Sequence, residues 1–264
     1  MCGNLFSCGI CCNCREGREN ICENWVMLGN HVDGAFAQYV KVPAKNAYLL
    51  PPEISPEDGC IIADAVSTPF HAVKDRSGMR PGDSVAVFGC GGLGINCVQI
   101  AVAMGGSVIA VDFNIPIMPG HSETKLDLAR RFGAIETIDA QSKDVVKEIR
   151  RLTGGGVNVA FEMIGRPETI SKAYQSIRKG GRLVVVGYTP NEATFNPGRM
   201  MVQELEIVGS VGGRSADFPR LFELIRLGRI NIKSLITGRF PLSEVNHALD
   251  RVRKGESIRT VLIP

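Results

Sequence analysis

Four cysteines near the start of the chain have the spacing of a metal site. They are Cys8, Cys11, Cys14 and Cys22, in the pattern C-x2-C-x2-C-x7-C. Thiolates this close together in a loop can converge on one tetrahedral ion, and four sulfur ligands leave no open coordination position. The spacing therefore predicts a structural zinc site.

Two alternatives for these cysteines stay open. An iron–sulfur cluster is one, because ferredoxin-type runs also begin C-x2-C-x2-C. Those runs continue with a cysteine after three residues and then a proline, whereas this chain has Arg18 and Glu19 at those positions. Free or oxidised thiols are the other alternative.

The chain has nine cysteines in all, and the count argues against a disulfide framework. The number is odd and the chain is long. The start of the chain also lacks the positively charged segment that precedes the apolar run of a signal peptide. Cys12 breaks the spacing of the metal motif and is interpreted as a bystander thiol. Cys60, Cys90 and Cys97 are predicted to be small buried hydrophobes.

A second pattern, VFGCGGLG at residues 87–94, could bind a phosphate. It contains G-x-G-x-x-G at Gly89, Gly91 and Gly94, follows an apolar strand and opens a helix. The first glycine permits a tight turn, the second lets the backbone approach a pyrophosphate, and the third packs the helix on the strand. This context predicts a dinucleotide-binding turn, with the helix amino terminus stabilising the phosphate charge.

Asp112 ends the next predicted strand, 18 residues after Gly94. A carboxylate there can accept both ribose hydroxyls of the adenosine and would repel a 2′-phosphate, which favours NAD over NADP. A solvated aspartate after a strand is the alternative. The Pro/Gly-rich stretch NIPIMPGH at 114–121 lies beside the expected adenine site, so its effect on this preference stays open.

The elements that must position these residues alternate between strands and helices from Ser84 onward. The predicted strands are 84–88, 107–112, 135–138, 157–162, 182–187 and 204–211, and the predicted helices are 92–104, 123–132, 142–152 and 167–178. Such alternation predicts an α/β fold with a doubly wound parallel (Rossmann) sheet. Helices at 216–228 and 242–253 and a strand at 257–263 are predicted to follow.

The remainder of the chain is predicted to form a partial β-rich domain that carries the zinc lobe. Residues 34–50 alternate apolar and polar side chains, which suggests short antiparallel strands. The expected division is a partial catalytic domain at 1–65, an NAD-binding domain at 66–211 and a return to the first domain at 212–264.

Composition sets limits on function. The 264 residues include 44% hydrophobic and 22% charged side chains, as in ordinary globular proteins, and the net charge of +3 is too small for a nucleic-acid footprint. Residues 84–111 carry no charge, but six glycines interrupt them, so buried strands and a helix are expected there rather than a membrane span. A cytoplasmic protein without membrane or nucleic-acid partners is predicted.

Taken together, these motifs resemble the medium-chain dehydrogenase/reductase family, in particular its zinc-dependent alcohol dehydrogenases. The four-cysteine lobe, G-x-x-x-D-G-x-F-A at Gly29–Ala37, and IADAVSTPFHA at 62–72 are similar to successive family segments. The resemblance implies that Asp64 is a catalytic-zinc ligand and that Thr68 lies against the nicotinamide. It also implies hydride transfer between an alcohol and NAD.

The same resemblance extends through GGVNVAFEMIG, GGRLVVVGY and the ending GESIRTVLIP. It implies that Lys125 approaches the adenosine ribose and that Arg259 reaches the pyrophosphate. The remaining cofactor contacts implied in these segments and in the glycine turn are Gly92, Leu93, Ile164 and Val186.

One departure from the family pattern concerns the catalytic zinc. Family members carry a Cys ligand and a Gly-His-Glu motif ahead of the four-cysteine lobe, and a catalytic zinc takes three protein ligands. None of His31, His71, His121 and His247 is expected to replace them. We therefore expect either an N-terminally shortened dehydrogenase, which binds NAD but oxidises little alcohol, or another activity.

The leading hypothesis is an NAD-dependent, zinc-containing alcohol or polyol dehydrogenase, whose substrates are small alcohols, aldehydes or ketones. A dehydrogenase of an alicyclic hydroxyacyl-CoA is an alternative, suggested by the ADAVSTP segment. A catalytically empty NAD-binding module is another. Zinc-free quinone reductases are disfavoured because they lack the four-cysteine lobe. The family pattern implies a homodimer or homotetramer that assembles through the cofactor domains.

Overall fold

The computed structural model describes all residues, 1–264. The chain forms two compact units. The terminal unit comprises Met1–Thr68, Ile117–Pro119 and Val211–Pro264, and the central unit comprises Pro69–Pro116 and Gly120–Ser210.

Strands and helices follow one another along most of the chain. The strands are β1 (Leu5–Phe6), β2 (Val26–Met27), β3 (Ser84–Phe88), β4 (Ser107–Asp112), β5 (Glu136–Asp139), β6 (Val157–Glu162), β7 (Ile177–Val185), β8 (Glu206–Gly209), β9 (Ile236–Pro241) and β10 (Arg259–Ile263). The α-helices are α1 (Cys12–Arg15), α2 (Pro56–Gly59), α3 (Ser67–His71), α4 (Gly94–Ala103), α5 (Lys125–Arg131), α6 (Val145–Thr153), α7 (Pro167–Ser176), α8 (Pro197–Gln203), α9 (Phe218–Arg226) and α10 (Val245–Arg253).

The central unit is built on one sheet of six parallel strands. Their order is β5-β4-β3-β6-β7-β8, and each neighbouring pair runs parallel. The chain changes direction across the sheet between β3 and β6, which leaves a crevice outside the carboxyl ends of these strands. The doubly wound parallel sheet predicted from the sequence is confirmed.

The uncharged segment 84–111 forms the centre of this unit. β3 and β4 bury nearly all their side chains, and the first eight residues of α4 are buried as well. Phe88 packs in a core cluster with Ile138, Ile149 and Leu183, so apolar burial stabilises the strands that carry the glycine turn. None of the helices combines the length and apolar character that crossing a membrane requires.

The terminal unit contains less sheet than the central one. β1 pairs with β2 in antiparallel fashion, and β9 pairs with β10 in parallel. The helices of this unit include α9 and α10, and α9 buries Phe218, Leu221 and Phe222.

The prediction of antiparallel strands in residues 34–50 was wrong. This stretch contains a 3-10 helix at Ala44–Asn46 and an isolated bridge between Cys2 and Ala47, with no strand. Alternating side chains favour a strand only where a neighbouring strand offers backbone partners, and no ladder reaches this stretch. Its apolar side chains are consequently exposed, with Phe36 at 65% and Tyr39 at 91%.

One smaller prediction also needs correction. Cys60 is exposed rather than buried, because it begins a 3-10 helix whose inner face is occupied by Ile61 and Ile62; its Sγ donates to the Glu57 carbonyl at 3.0 Å. His71 is the last residue of α3 and is buried. Cys90 and Cys97 are buried, as predicted.

Candidate cofactor and zinc sites

The sulfur atoms of the four predicted zinc ligands converge in the terminal unit. Cys8, Cys11, Cys14 and Cys22 place their Sγ atoms within 4.8 Å of one another. The Sγ–Sγ distances are 3.4 Å from Cys11 to Cys14 and 3.9 Å both from Cys8 to Cys14 and from Cys11 to Cys22. A tetrahedral ion with Zn–S bonds of about 2.3 Å needs sulfurs about 3.8 Å apart. The donor set therefore fits zinc.

Backbone N–H groups point at these sulfurs. Cys11 N–H donates to Cys8 Sγ at 3.4 Å, and the N–H groups of Cys8 and Asn24 donate to Cys22 Sγ, each at 3.3 Å. Hydrogen bonds from Ile10 and Cys11 lower the pKa of Cys8 to about 6, whereas desolvation raises the pKa of Cys14 to about 12. Because zinc binds thiolates, binding at this lobe must displace protons from its thiols.

The turns of the lobe depend on glycine. Gly9 and Gly17 have φ angles of +80° and +70°, which side chains rarely adopt. Cys12 is exposed, and its Sγ donates to Glu23 Oε1 at 3.5 Å. Cys12 therefore lies outside the four-sulfur cluster.

The glycine turn of the central unit joins β3 to α4. Gly89 has a φ angle of +94°, and its N–H donates to the Val111 carbonyl at 2.8 Å. A Cβ added at Gly94 would lie 1.6 Å from Gly89 O, so helix and turn approach too closely for any side chain. A Cβ added at Gly91 would meet no atom within 4 Å. The backbone at Gly91 thus faces open space, and the turn fits a pyrophosphate there.

Asp112 closes this turn from the end of β4. Its Oδ2 accepts the N–H of Cys90 at 2.6 Å, and its Oδ1 accepts the N–H of Phe113 at 2.6 Å. Lys125 lies half-buried at the start of α5, and its charge acts on the Cys90 thiol of the turn. Burial raises the pKa of the Cys90 thiol, Asp112 raises it further, and Lys125 opposes this.

The stretch at 114–121 folds back toward the start of α5. The N–H of Lys125 donates to the Ile115 carbonyl at 3.0 Å, and Pro116 forms an isolated bridge with Thr124. Thr124 caps α5 by accepting the N–H of Asp127 at 3.1 Å. These contacts fix the backbone of Lys125, one of the predicted cofactor residues.

Gly92 and Leu93 complete the glycine turn, and Ile164 and Val186 follow the carboxyl ends of β6 and β7. The structure brings these four residues into the central unit with Gly89, Gly91, Gly94, Asp112 and Lys125. Ile164 is 41% exposed although it is a large apolar side chain.

Asp64, Thr68 and Arg259 belong to the terminal unit. The hydroxyl of Thr68, which is buried, donates to Asp64 Oδ1 at 2.8 Å. Asp64 is exposed and belongs to no group of three or more side chains that could hold a metal ion. The four-cysteine lobe therefore fits a structural zinc, whereas Asp64 alone does not supply the three protein ligands that a catalytic zinc needs.

Arg259 has two buried guanidinium atoms, Nε and Nη2, without hydrogen-bond partners. Burial lowers its pKa, while the neighbouring Asp64 and Cys60 have the opposite effect. Buried donors are ordinarily paired, so this guanidinium is suited to a bound anion.

Sequence reasoning missed Glu162, a fully buried carboxylate at the end of β6. The signal was present, because an acidic residue ends the otherwise apolar part of a predicted inner strand, VAFE. Buried carboxylates need specific donors, and their positions mark places where the backbone is held.

Two stretches of the chain match known families. Residues 92–226 match the family described as zinc-binding dehydrogenase, and residues 1–52 match the alcohol dehydrogenase GroES-like domain. The chain is 34% identical to L-threonine 3-dehydrogenase of Bacillus licheniformis over 261 residues, which cover 97% of the chain and 72% of the relative. It is 31% identical to sorbitol dehydrogenase of Bacillus subtilis over 263 residues, 98% of the chain and 72% of the relative.

A solved structure agrees with these matches. The alcohol dehydrogenase of the archaeon Aeropyrum pernix has a TM-score of 0.89 and 34% identity, covering 100% of this chain and 75% of that one. The family inferred from the motifs is confirmed. This chain belongs to the zinc-binding dehydrogenases of the medium-chain dehydrogenase/reductase family.

Proposed function

We propose that this chain binds NAD in its central unit and structural zinc in its four-cysteine lobe, as an NAD-dependent dehydrogenase of small alcohols or polyols. The observation that carries the proposal is the open space at Gly91, between a turn that requires Gly94 and the carboxylate of Asp112. The names of the relatives, a threonine and a sorbitol dehydrogenase, support hydroxyl-bearing substrates.

Each part of the proposed NAD site has a physical role. The backbone of the glycine turn and the amino terminus of α4 stabilise the pyrophosphate charge, and Asp112 accepts the ribose hydroxyls. Asp112 also disfavours a 2′-phosphate, which supports NAD over NADP. Held by these residues, NAD would supply the hydride acceptor for oxidation of the alcohol carbon.

The zinc in the proposed lobe has a structural role. A zinc ion held by the four thiolates would have no open coordination position and would bind no substrate. Of the ligands needed for a catalytic zinc, the resemblance assigns only Asp64 among these residues. Zinc-binding thiolates persist in a reducing compartment, which supports a cytoplasmic location.

The edge of the sheet supports a homo-oligomer. β8 pairs only with β7 and leaves its other side unpaired, and Met201 and Val202 of α8 are 74% and 70% exposed. An open edge strand favours pairing with another chain. Light scattering coupled to size exclusion would report a dimer or tetramer, and a monomer at micromolar concentration would contradict this part of the proposal.

Cofactor titration tests the central claim. Calorimetry should show that NAD, NADP and ADP-ribose all bind, and that the dissociation constant is lower for NAD than for NADP. Elemental analysis of the same preparation should find about one zinc per chain. Absence of NAD binding in zinc-loaded protein would overturn the dinucleotide function, and iron in place of zinc would overturn the metal assignment.

A further inference from the structure

Glu162 is a buried carboxylate whose hydrogen-bond donors are all uncharged. It ends β6 and is fully buried. Its Oε1 accepts the N–H of Ile164 at 3.1 Å, the N–H of Gly165 at 3.0 Å and the hydroxyl of Thr169 at 2.6 Å. Its Oε2 accepts the same Gly165 N–H at 3.0 Å. A buried charge is tolerated only with such donors, so this side chain fixes the backbone after β6.

The backbone of Glu162 fixes a second loop. Its carbonyl accepts the N–H of Val186 at 2.9 Å and of Gly187 at 3.0 Å, at the end of β7. The two loops touch directly, since a Cβ added at Gly187 would lie 2.1 Å from the nitrogen of Gly165. One residue therefore ties together the chain that follows two neighbouring strands.

Both loops carry residues assigned to the cofactor. The Ile164 side chain lies against the glycine turn, because a Cβ added at Gly89 would be 2.6 Å from Ile164 Cγ1. The Ile164 side chain is nevertheless partly exposed, as expected for a wall of a ligand cleft. Its position follows from its own N–H, which is held by Glu162.

We propose that Glu162 is a positioning residue for the dinucleotide, which acts by holding Ile164 and Val186 beside the glycine turn. The inference rests on the proposed NAD site and assigns no contact between Glu162 and the cofactor. The acceptor oxygens of the side chain, rather than its negative charge, hold the loop after β6. The loop after β7 depends on the side chain indirectly, because Gly187 packs against Gly165.

Two substitutions separate acceptor from charge. Glu162→Gln keeps an oxygen at the position of Oε1 and should bind NAD within about 3-fold of the unsubstituted protein. Glu162→Met has a similar length but no acceptor, so it leaves the N–H groups of Ile164 and Gly165 unpaired. It should raise the NAD dissociation constant by ~10-fold or more.

A control for plain destabilisation lies on the same strand. Asn158 is near the amino end of β6, and its Oδ1 accepts the N–H of Ser84 at 3.1 Å and the Ser84 hydroxyl at 2.8 Å. Asn158→Leu also removes a side-chain acceptor from β6, here one oxygen with two donors, but at the amino end of the strand, away from the cofactor loops. It should lower the melting temperature and leave the NAD dissociation constant unchanged.

The experiment combines NAD calorimetry, thermal unfolding and deuterium uptake of peptides covering 163–166 and 186–188. Weak NAD binding with faster exchange in both peptides for Glu162→Met, rescued in Glu162→Gln, supports the inference. Equal NAD affinity in Glu162→Met and the unsubstituted protein overturns it. So does an equal loss of affinity in Asn158→Leu, which would show a merely structural effect.

A fallback covers the possibility that Glu162→Met does not fold. Glu162→Asp keeps the carboxylate but withdraws it by about 1.5 Å, one carbon–carbon bond. It should weaken NAD binding, and unchanged binding would overturn the inference. If the unsubstituted protein fails to bind NAD, the proposed function falls and the inference falls with it. If the unsubstituted protein binds NAD and the Met or Asp variant binds it equally well, only the inference about Glu162 is overturned and the proposed function stands.

Discussion

The carboxylate of Asp112 accepts the backbone N–H of Cys90 at 2.6 Å, so the residue proposed to bind the adenosine ribose also holds the glycine turn. One side chain therefore serves ligand choice and loop geometry together. Substitutions at Asp112 must be chosen to separate these two effects.

Asp112→Gly and Asp112→Asn make that separation. Both remove the negative charge and should narrow or reverse the preference for NAD over NADP. Asp112→Gly also leaves Cys90 N–H without its acceptor, so it should weaken binding of both cofactors by ~10-fold, whereas Asp112→Asn keeps an acceptor and should weaken NAD chiefly. Calorimetry with each cofactor measures this; equal affinities for NAD and NADP in the unsubstituted protein would contradict the role of Asp112.

Gly91 and Gly94 should respond oppositely to alanine. At Gly94 the methyl carbon would lie 1.6 Å from Gly89 O, so Gly94→Ala should destabilise the fold by on the order of 3 kcal/mol. At Gly91 the methyl meets nothing, so Gly91→Ala should change the unfolding free energy by less than about 1 kcal/mol. It should nonetheless abolish most NAD binding, because the methyl occupies the space proposed for the pyrophosphate. Denaturant unfolding and NAD titration of both variants check this, and tight NAD binding by Gly91→Ala would be incompatible with that placement.

Cys14→Ser should lower zinc content and stability together. Loss of one thiolate opens the coordination shell, and metal binding is coupled to the folding of the lobe. Cys12→Ser is the matched control, because Cys12 adjoins the cluster without joining it. The readouts are elemental analysis and melting temperature. Full zinc content in Cys14→Ser would show that another residue completes the site.

Arg259→Ala should weaken NAD binding without loss of stability. Removing a buried guanidinium with two unpaired nitrogen atoms relieves a desolvation penalty in the free protein. The family resemblance assigns this guanidinium to the pyrophosphate, so its removal is expected to cost binding energy when NAD is added. Arg239 on β9, which forms an ion pair with Glu57 at 2.8 Å, provides an arginine control. We expect a ~10-fold higher NAD dissociation constant for Arg259→Ala and little change for Arg239→Ala. An unchanged NAD dissociation constant in Arg259→Ala would show that Arg259 is a buried charge with no role in cofactor binding.

The parts of the fold that could be predicted from sequence are those with local signals. The strands predicted at 84–88, 107–112 and 157–162 coincide with β3, β4 and β6. Each is a short apolar run between turn residues, so the sequence itself marks where the strand begins and ends. The predicted strand at 182–187 begins at Ile177 instead, since Ile177 pairs with Val157 ahead of a register shift, after which Arg182 pairs with Val159. Pairing of this kind depends on the neighbouring strand and is invisible in a single segment.

The candidate sites show the same division. Cys8 to Cys22 and Gly89 to Gly94 could be found because their spacing itself reflects the geometry of a ligand. The hydrogen-bond partners of Glu162 and the bond from Cys90 to Asp112 could not be found in this way, because the sheet decides which residues meet. The failed strands at 34–50 have the same cause, as alternation there has no partner to pair with.

The four-cysteine lobe has a consequence for the life of the protein in the cell. Residues 8–18 of the lobe, which include helix α1, bury no side chain, so the metal is the main element that keeps this segment folded. Zinc-starved molecules should therefore present this segment to proteases while the central sheet stays intact. The supply of metal would then set how long each molecule survives, independently of any substrate it meets.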